Sequence, residues 1–314
     1  MHNLFMFDVS KEIETISEII SDIFSEKALK ISPLIGKGSV NQIFIVETAS
    51  SKLVVRMNES NSLDEYKKEI WASEKAKEKG IYTPEILKIG VFDEKAYSIQ
   101  EFVEGSEGRD ALIDKKFIWK KLGEYASLIH TIKVAGFGLG FGDLTQGNAE
   151  KSWLKYLDYN IESLDENDEL LKLDILTKSQ SEKIKGIFEN LRLRKFEFGL
   201  NHGDLSLKNT IVDKFEIVNL VDWGSAEASI APHHDLIELL KINVLENNPD
   251  DSEIRAFLGG YGISDDEYQM MLPDLMALSL LRAFDKLRWA IDWKIPEIEE
   301  YVFEARETVK RFLL

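Results

Sequence analysis

The amino-acid sequence predicts an α+β protein with two lobes, an N-terminal lobe built on a five-stranded antiparallel sheet with helices and a mostly helical C-terminal lobe. Short runs typical of strands cluster before residue 103. Beyond it, apolar residues recur mainly at helical spacing, and one apolar hairpin near 196–221 interrupts them. We therefore expect lobes at 1–103 and 104–314, with a hinge near 100–105.

The N-terminal lobe is expected to begin with an amphipathic helix over 10–27. Apolar residues recur there about every 3.6 positions, from Ile13 to Phe24, and Ser10 can cap the first turn. Alternating or apolar runs then predict strands at 31–35, 42–48, 52–57, 86–92 and 97–102, with one helix at 63–79 between the third and fourth.

The C-terminal lobe is expected to consist of helices around one hairpin. Helical spacing predicts helices near 115–132, 151–160, 166–190, 233–246, 251–260, 265–291 and 296–312. Strands at 196–200, 210–212 and 216–221 form the hairpin, and polar residues fill the loops at its ends.

Composition limits the possible partners of this chain. Its formal net charge of −17 argues against binding DNA or RNA, whose phosphates are held by clustered Lys and Arg. The absence of cysteine excludes disulfides and thiolate zinc sites and fits a reducing compartment. With neither a leader pattern nor a membrane span in the sequence, we expect a cytoplasmic protein, a monomer or small homo-oligomer, without a membrane partner.

The hairpin loops carry the residues with the clearest chemical meaning. Asp204 is followed five residues later by Asn209, and Asp222 ends the next strand. A carboxylate can orient a hydroxyl group and accept its proton, while amide and carboxylate oxygens suit Mg²⁺ beside a nucleotide's phosphates. Asp and Asn are also ordinary turn formers. The spacing nevertheless favours phosphoryl transfer, with Asp204 as base and Asn209 and Asp222 as metal ligands.

The same residues resemble a known family. His202-Gly203-Asp204, then Asn209, then Val221-Asp222-Trp223 is similar to the signature of the aminoglycoside phosphotransferase-like family, small-molecule kinases with a protein-kinase-like fold. The resemblance implies Mg²⁺ and ATP or GTP as phosphate donor. It also implies that Asp235 braces the catalytic loop, while His202 is expected to hold that loop through side-chain hydrogen bonds.

A zinc site at His233-His234-Asp235 is disfavoured. Adjacent residues of a helix point to different faces, and a third His or Cys at ligand spacing is lacking in the sequence. We expect His130 to be a satisfied helix residue.

A glycine-containing turn between the first two predicted strands is a candidate phosphate loop. Gly36 and Gly38 would let backbone N–H groups approach phosphate oxygens, and Ser39 or Asn41 could touch the β-phosphate. The run is not a Walker A motif. A plain hairpin turn is the alternative interpretation.

Other nucleotide contacts are expected on the third strand, the helix that follows and the hinge. Arg56 stands where kinases usually carry a lysine against the α- and β-phosphates, and a guanidinium can bind phosphate in two places. Glu69 is its expected partner, with Glu65 as the alternative. The resemblance places the backbone of Glu101 and Val103 at the adenine edge.

The expected acceptor is a small molecule. Gly203 stands where regulated protein kinases have an arginine, and the passage from Asp222 to Asp235 is short for a peptide-docking segment. An aminoglycoside-like or sugar-like hydroxyl group is the first expectation for the acceptor, and the acidic net charge allows the acceptor to be a cation. Helices of the C-terminal lobe are expected to line its pocket. Choline, homoserine or methylthioribose kinases and a nucleotide-binding pseudokinase are alternatives.

Two sets of residues are expected to have no role at the site. Arg288, Trp289 and Trp293 are interpreted as packing residues, and the acidic stretch 158–169 is interpreted as a solvated helix face.

Overall fold

The computed structural model describes residues 9–34, 42–246 and 248–313. Within them the strands are β1 (Lys30–Pro33), β2 (Gln42–Glu47), β3 (Lys52–Glu59), β4 (Ile86–Phe92), β5 (Lys95–Glu101), β6 (Ser106–Glu107), β7 (Glu197–Asn201), β8 (Thr210–Val212), β9 (Val218–Leu220) and β10 (Glu227–Ala231).

The helices of the same ranges are α1 (Val9–Phe24), α2 (Leu63–Glu78), α3 (Lys115–Ile129), α4 (Phe141–Thr145), α5 (Ala149–Glu162), α6 (Glu169–Lys172), α7 (Lys178–Leu191), α8 (His233–Glu246), α9 (Asp251–Tyr261), α10 (Asp265–Asp292) and α11 (Ile298–Phe312). None of them combines the length and the apolar character that a membrane span needs.

The described chain divides into two compact units. Unit 1 contains the residues up to Ser106 together with Thr210–Gly224, and unit 2 contains Glu107–Asn209 and Ser225 onwards. Unit 1 thus includes the β8–β9 hairpin, although this hairpin lies far along the chain. The lobe limits expected from the sequence, 1–103 and 104–314, remain a prediction.

Unit 1 is built on the predicted five-stranded sheet. Its order is β1-β2-β3-β5-β4, and every neighbouring pair runs antiparallel. The apolar stripe of α1, with Ile16, Ile19 and Ile20 fully buried, packs against the side chains of β2, β3 and β5. Removing this surface from water stabilises the unit, since a fully buried aliphatic side chain contributes roughly 1.5–3 kcal/mol. The α+β fold prediction is confirmed.

Two predicted elements differ from the structure, and one strand was missed. Helix α1 begins at Val9, so Ser10 lies inside its first turn and is not the N-cap. The helix predicted over 166–190 is two helices, because Asp174 adopts a positive φ of 52° and Thr177 opens α7 with a capping box. Strand β10, which pairs antiparallel with β7, was not predicted.

Unit 2 buries several charged side chains, each with partners. Arg282 Nη2 lies 3.3 Å from Glu227 Oε2, and His234 Nδ1 lies 3.0 Å from Glu227 Oε1. Lys286 Nζ donates to Glu238 Oε1 at 3.0 Å. Burial alone would raise the pKa of Glu238, but Lys286 and the other nearby cations hold it well below its usual value. His234 thus lies against this ion cluster.

A second buried ion pair corrects the interpretation of the acidic stretch. Asp168 is only 6% exposed, and it accepts two hydrogen bonds from Arg288, from Nε at 3.2 Å and from Nη2 at 2.8 Å. Arg288 Nη1 also donates to Asn160 Oδ1 at 3.1 Å. Asp168 therefore does not lie on a solvated face. Arg288 joins α10 to the segment before α6, as a packing role requires.

Candidate active site

Asp204 lies in unit 2, on the loop 201–209. This loop begins at the last residue of β7 and ends in one 3₁₀ turn, Leu207–Asn209. The loop is closed by its own hydrogen bonds, since Asp204 N–H donates to His202 Nδ1 at 3.3 Å and Asn209 Nδ2 donates to Asp204 O at 2.9 Å. The Asp204 side chain is 26% exposed, and its Oδ2 lies 2.9 Å from Lys208 Nζ. A carboxylate held on a fixed backbone and open to solvent can accept a proton from a bound molecule.

Asp235, near the start of α8, holds this loop through the backbone. Its Oδ1 accepts the Gly203 N–H at 2.8 Å, and its Oδ2 accepts the His202 N–H at 3.2 Å. His130 Nε2 lies 2.9 Å from the same Oδ2. Burial alone would raise the pKa of Asp235, which is 1% exposed, but chiefly the hydrogen bond from His130 holds that pKa below its usual value. The carboxylate is thus kept ionised as an acceptor.

Gly203 is required by the geometry of the loop. Its φ is +78°, a conformation that favours glycine, and a Cβ at this position would lie 2.2 Å from the Ser225 carbonyl oxygen. Any side chain here would have to displace backbone. An arginine side chain would meet the same restriction.

Unit 1 brings together Arg56, Glu69 and Asp222. Arg56 on β3 forms a hydrogen-bonded ion pair with Glu69 on α2, both side chains being almost completely buried, and Arg56 Nη1 lies 3.9 Å from Asp222 Oδ1. Glu65, the alternative partner, is exposed. Burial lowers and Glu69 raises the pKa of the Arg56 guanidinium, with a net rise, so this cation stays charged. Burial also raises the pKa of Glu69, and Arg56 opposes that rise.

Asp222 follows β9 and is fixed by the two residues after it. Trp223 is buried and its indole Nε1 donates to Thr83 Oγ1 at 3.0 Å, while Lys68 Nζ donates to Gly224 O at 2.8 Å. Asp222 itself adopts φ +63°, a left-handed conformation that costs a non-glycine residue roughly 1–2 kcal/mol. Its side chain is 57% exposed. Anchored neighbours thus hold an aspartate in a strained, accessible position.

Asn209 in unit 2 and Asp222 in unit 1 each offer an oxygen of the kind that Mg²⁺ binds. The hydrogen bond from Asn209 Nδ2 to Asp204 O leaves the amide oxygen as the ligating atom of that side chain, and the carboxylate of Asp222 is accessible. Both are hard oxygen ligands, and Mg²⁺ uses few of these when phosphate oxygens and waters complete its shell. The described residues contain no group of three or more His, Cys, Asp or Glu arranged to hold a metal, so a closed protein cage is not offered there.

Of the predicted nucleotide contacts, those at the hinge lie in the part of the chain that the structure describes. Gly36, Gly38, Ser39 and Asn41 lie outside the described residues. Glu101 ends β5 and its N–H donates to Glu85 O at 2.9 Å. Val103, two residues beyond the strand, is half-buried.

Sequence reasoning missed the supporting residues. His130 contacts Asp235 across 105 positions of sequence, and Lys68 reaches Gly224 across 156. Lys208 was not weighed, although it stands four residues after Asp204, where a lysine can reach the carboxylate. The four-residue spacing could have suggested Lys208 as a partner of Asp204. The contacts of His130 and Lys68 join distant segments and have no local sequence signal.

Unit 2 also contains a small cavity among the helices expected to wall the acceptor pocket. It has a volume of ≈ 30 Å³, and residues from β10, α5, α8 and α10 contribute to its lining. Aromatic rings of Phe137, Trp153 and Tyr156 line it beside His234 and Arg282. It is large enough for about one or two waters rather than a sugar ring, and Asp204 is not among its lining residues.

Comparison with known proteins places the fold. A family model described as the phosphotransferase enzyme family matches residues 33–272. No curated protein matched the sequence significantly.

Among solved structures, the GDP and kanamycin complex of APH(2")-IIia aligns with a TM-score of 0.68 at 16% identity, over 96% of this chain and 100% of that one. A thermostable mutant of aminoglycoside phosphotransferase APH(4)-Ia, in a ternary complex with AMP-PNP and hygromycin B, gives 0.66 at 16% identity, over 94% and 98%. A putative fructosamine-3-kinase from Haemophilus somnus 129PT gives 0.63 at 12% identity, over 96% and 98%. At these identities the likeness shows a shared, protein-kinase-like fold.

Proposed function

Because the chain belongs to the phosphotransferase enzyme family, we propose that it transfers the γ-phosphate of ATP or GTP to a hydroxyl group of an aminoglycoside-like or sugar-like acceptor. The observation that carries the proposal is the loop 201–209. Its backbone is braced by Asp235, and it presents a partly exposed carboxylate, Asp204, with an amide oxygen from Asn209. Rigid placement of a proton acceptor is what phosphoryl transfer needs from a protein.

Asp204 acts as the base in this proposal. Its carboxylate accepts a hydrogen bond from the acceptor hydroxyl and takes up the proton as that oxygen bonds to the γ-phosphorus and the bond to the β-phosphate oxygen breaks. Asn209 and Asp222 would hold Mg²⁺, which when bound offsets negative charge on the triphosphate. The salt bridge from Lys208 engages Asp204 Oδ2, and the carboxylate keeps further acceptor positions for the hydroxyl.

Arg56 is proposed to contact the α- and β-phosphates. Its ion pair with Glu69 fixes the guanidinium. The guanidinium also lies near the carboxylate of Asp222, the proposed metal ligand, and so places positive charge beside it. Gly36, Gly38, Ser39 and Asn41 are proposed to cover the phosphates. At the adenine edge, the Glu101 N–H is engaged with Glu85, so its carbonyl group and the backbone of Val103 are the proposed contacts.

A small-molecule acceptor is supported by the loop and by the neighbours. Regulated protein kinases carry, in place of Gly203, an arginine that receives an activating phosphate, and the steric limit at Gly203 opposes such a side chain. The aligned structures include complexes with kanamycin and hygromycin B, and one putative fructosamine-3-kinase. Hydroxyl-rich acceptors are common to these proteins. The net charge of −17 favours an acceptor that carries amino groups.

Turnover of ATP and GTP with Mg²⁺ should be measured across aminoglycosides, other hydroxyl-bearing antibiotics, sugars, choline, homoserine and methylthioribose. Asp204→Asn is expected to lower transfer by roughly 10²–10⁴-fold, because the amide cannot accept the proton, while nucleotide affinity changes little. The matched control is Asp213→Asn in the β8–β9 turn, where the retained oxygen can still accept the N–H groups of Phe215 and Ile217.

Two outcomes would contradict the proposal. Equal turnover by Asp204→Asn and the wild type would remove Asp204 as the base. Nucleotide binding without transfer to any acceptor would favour the alternative of a nucleotide-binding pseudokinase that regulates a partner.

A further inference from the structure

Tyr261, the last residue of α9, contacts the network that braces the loop 201–209. Its hydroxyl oxygen lies 2.9 Å from His130 Nδ1, and the two ring centroids are 5.4 Å apart. The other ring nitrogen of His130 lies 2.9 Å from Asp235 Oδ2, and Asp235 accepts the backbone N–H groups of His202 and Gly203. A continuous chain of hydrogen bonds thus leads from α9 to the residue beside Asp204.

The donors and acceptors of this chain can be assigned from chemistry. An ionised carboxylate only accepts, so His130 Nε2 carries the hydrogen that Asp235 receives. In the neutral imidazole Nδ1 is then an acceptor, and the Tyr261 hydroxyl must donate to it. Burial, with a contribution from Asp235, raises the pKa of Tyr261 to about 12, which keeps the phenol protonated and able to donate. The hydroxyl therefore selects one tautomer of His130.

The packing of α9 on α3 sets the position of Tyr261. Glycines stand on both sides of the contact: a Cβ on Gly123 would lie 2.0 Å from the Phe257 carbonyl oxygen, and a Cβ on Gly260 would lie 1.9 Å from the Lys120 carbonyl oxygen. The helix backbones can approach this closely only because both side chains are hydrogen atoms. Gly262, at φ +92°, then ends α9 directly after the tyrosine.

We propose that Tyr261 is a positioning residue of the catalytic loop, which it orients through His130 and Asp235. The proposal rests on the proposed function, because it assigns the benefit of this orientation to Asp204. The polar contact of the Tyr261 hydroxyl among the described residues is with His130, so its effect on turnover passes through the imidazole. A tyrosine at the end of α9 fixes the tautomer and direction of His130, His130 fixes Asp235, and Asp235 fixes two loop amides.

The kinetic test is Tyr261→Phe, which keeps the ring and removes the donor. We expect kcat to fall roughly five- to tenfold, with an unchanged KM for the nucleotide, since small displacements of a reacting group lower the rate without altering binding elsewhere. Tyr268→Phe is the matched control; Tyr268 lies on α10 and is likewise partly buried, and its change should leave both constants near wild type.

A double-mutant cycle separates positioning from general packing. If Tyr261 acts through His130, then removing its hydroxyl in a His130→Ala background has no further effect on kcat, although each single change lowers it. Losses that multiply in the double variant would overturn the proposal. Equal losses in Tyr261→Phe and Tyr268→Phe would overturn it as well.

A readout independent of turnover distinguishes failure of this proposal from failure of the proposed function. Imidazole ¹⁵N NMR should show the Nε2–H tautomer at His130 in the wild type, and hydrogen exchange of the Gly203 amide should become faster in Tyr261→Phe. If wild-type protein transfers no phosphate yet shows both signals, the proposed function fails and the orientation network stands. If Nδ1 carries the hydrogen, or Gly203 exchange is unchanged, Tyr261 does not position the loop.

Discussion

The two units hold their proposed functional residues by different means. In unit 1, the proposed phosphate contact Arg56 is fixed by a direct ion pair of side chains with Glu69. In unit 2, the proposed base Asp204 receives little side-chain support beyond one salt bridge with Lys208, which is nearly half exposed. The surrounding loop is instead fixed by backbone N–H groups that donate to the buried carboxylate of Asp235.

The difference follows from what each residue must do. A guanidinium that binds phosphate keeps its charge throughout, so a permanent buried ion pair orients it without interfering. A base must exchange a proton and needs a carboxylate free to accept it, so a strong permanent partner on that group would lower its basicity. Support through the backbone fixes the position and leaves the carboxylate available. We therefore expect changes to the brace to alter kcat and changes to the ion pair to alter nucleotide KM.

Among changes to the supporting residues, the largest effect is expected from Asp235→Asn. The amide has one acceptor oxygen where the carboxylate has two, so at least one of the Gly203, His202 and His130 donors loses its partner in a buried site. We expect kcat to fall roughly 100- to 1,000-fold with little change in nucleotide KM. Steady-state kinetics with the best acceptor measure this. Glu253→Gln, at an exposed capping box of α9, is the control for the same chemical change. A variant with raised KM and normal kcat would reverse the comparison.

Gly203→Ala tests the backbone of the loop directly. Both its φ of +78° and the 2.2 Å approach to Ser225 O oppose a methyl group, and we expect a loss of roughly 2–4 kcal/mol in the free energy of unfolding. Gly80→Ala is a close control, because Gly80 has φ +83° but open space around its Cβ position. Its loss should be only about 1 kcal/mol. Urea unfolding of both variants gives the difference, and equal losses would show that the Ser225 contact is easily relieved.

Sequence reasoning succeeded for features that local sequence patterns predict. The five sheet strands and α8, predicted at 233–246, emerge from periodicity and stand close to the predicted bounds. Arg56 and Glu69 were paired because the run from Glu69 to Pro84 resembles that of the family, and the structure joins them. The fold class was confirmed by the antiparallel sheet and by the aligned structures.

What could not be predicted depends on contacts between distant segments. Strand β10 has every residue buried, Glu227 and Ser229 included, so it lacks the alternation that marks a strand with one solvated face. The partners of Asp168 and His130 lie more than a hundred residues away, and periodicity carries no information about such pairs. The sequence therefore predicted a solvated Asp168, whereas the structure places this carboxylate in a buried ion pair with Arg288.

A pH effect should arise in unit 2, which holds four of the five histidines. Burial, partly offset by Asp274, lowers the pKa of His233 from 6.5 to about 4. Between these values the unfolded chain binds a proton that the folded state does not, so the free energy of unfolding falls as pH is lowered from 6.5 to about 4. The contribution is about 2 kcal/mol after allowing for partial exposure.

His233→Gln removes this titration. The melting temperature of the variant should therefore depend less on pH over that window than that of the wild type, as followed by circular dichroism. His202→Gln is not a suitable control because His202 supports the loop, so the wild type at pH 7 to 8 serves as reference. An unchanged slope in His233→Gln would assign the acid sensitivity to other groups, such as the buried His234, whose pKa is also lowered by burial.

The smallest of these four effects is expected from Arg56→Lys, the counterpart of Asp235→Asn in unit 1. Lysine keeps the charge but offers a single ammonium group, which cannot keep the ion pair with Glu69 and also hold two phosphate oxygens. We expect the nucleotide KM to rise about tenfold and kcat to fall less than about threefold. Arg109→Lys is the control, since Arg109 is exposed and its Nε makes one 2.9 Å bond to Glu107. A variant that loses kcat and keeps KM would mean that Arg56, like Asp235, supports the reacting group rather than the nucleotide, and the division of labour between the units would fail.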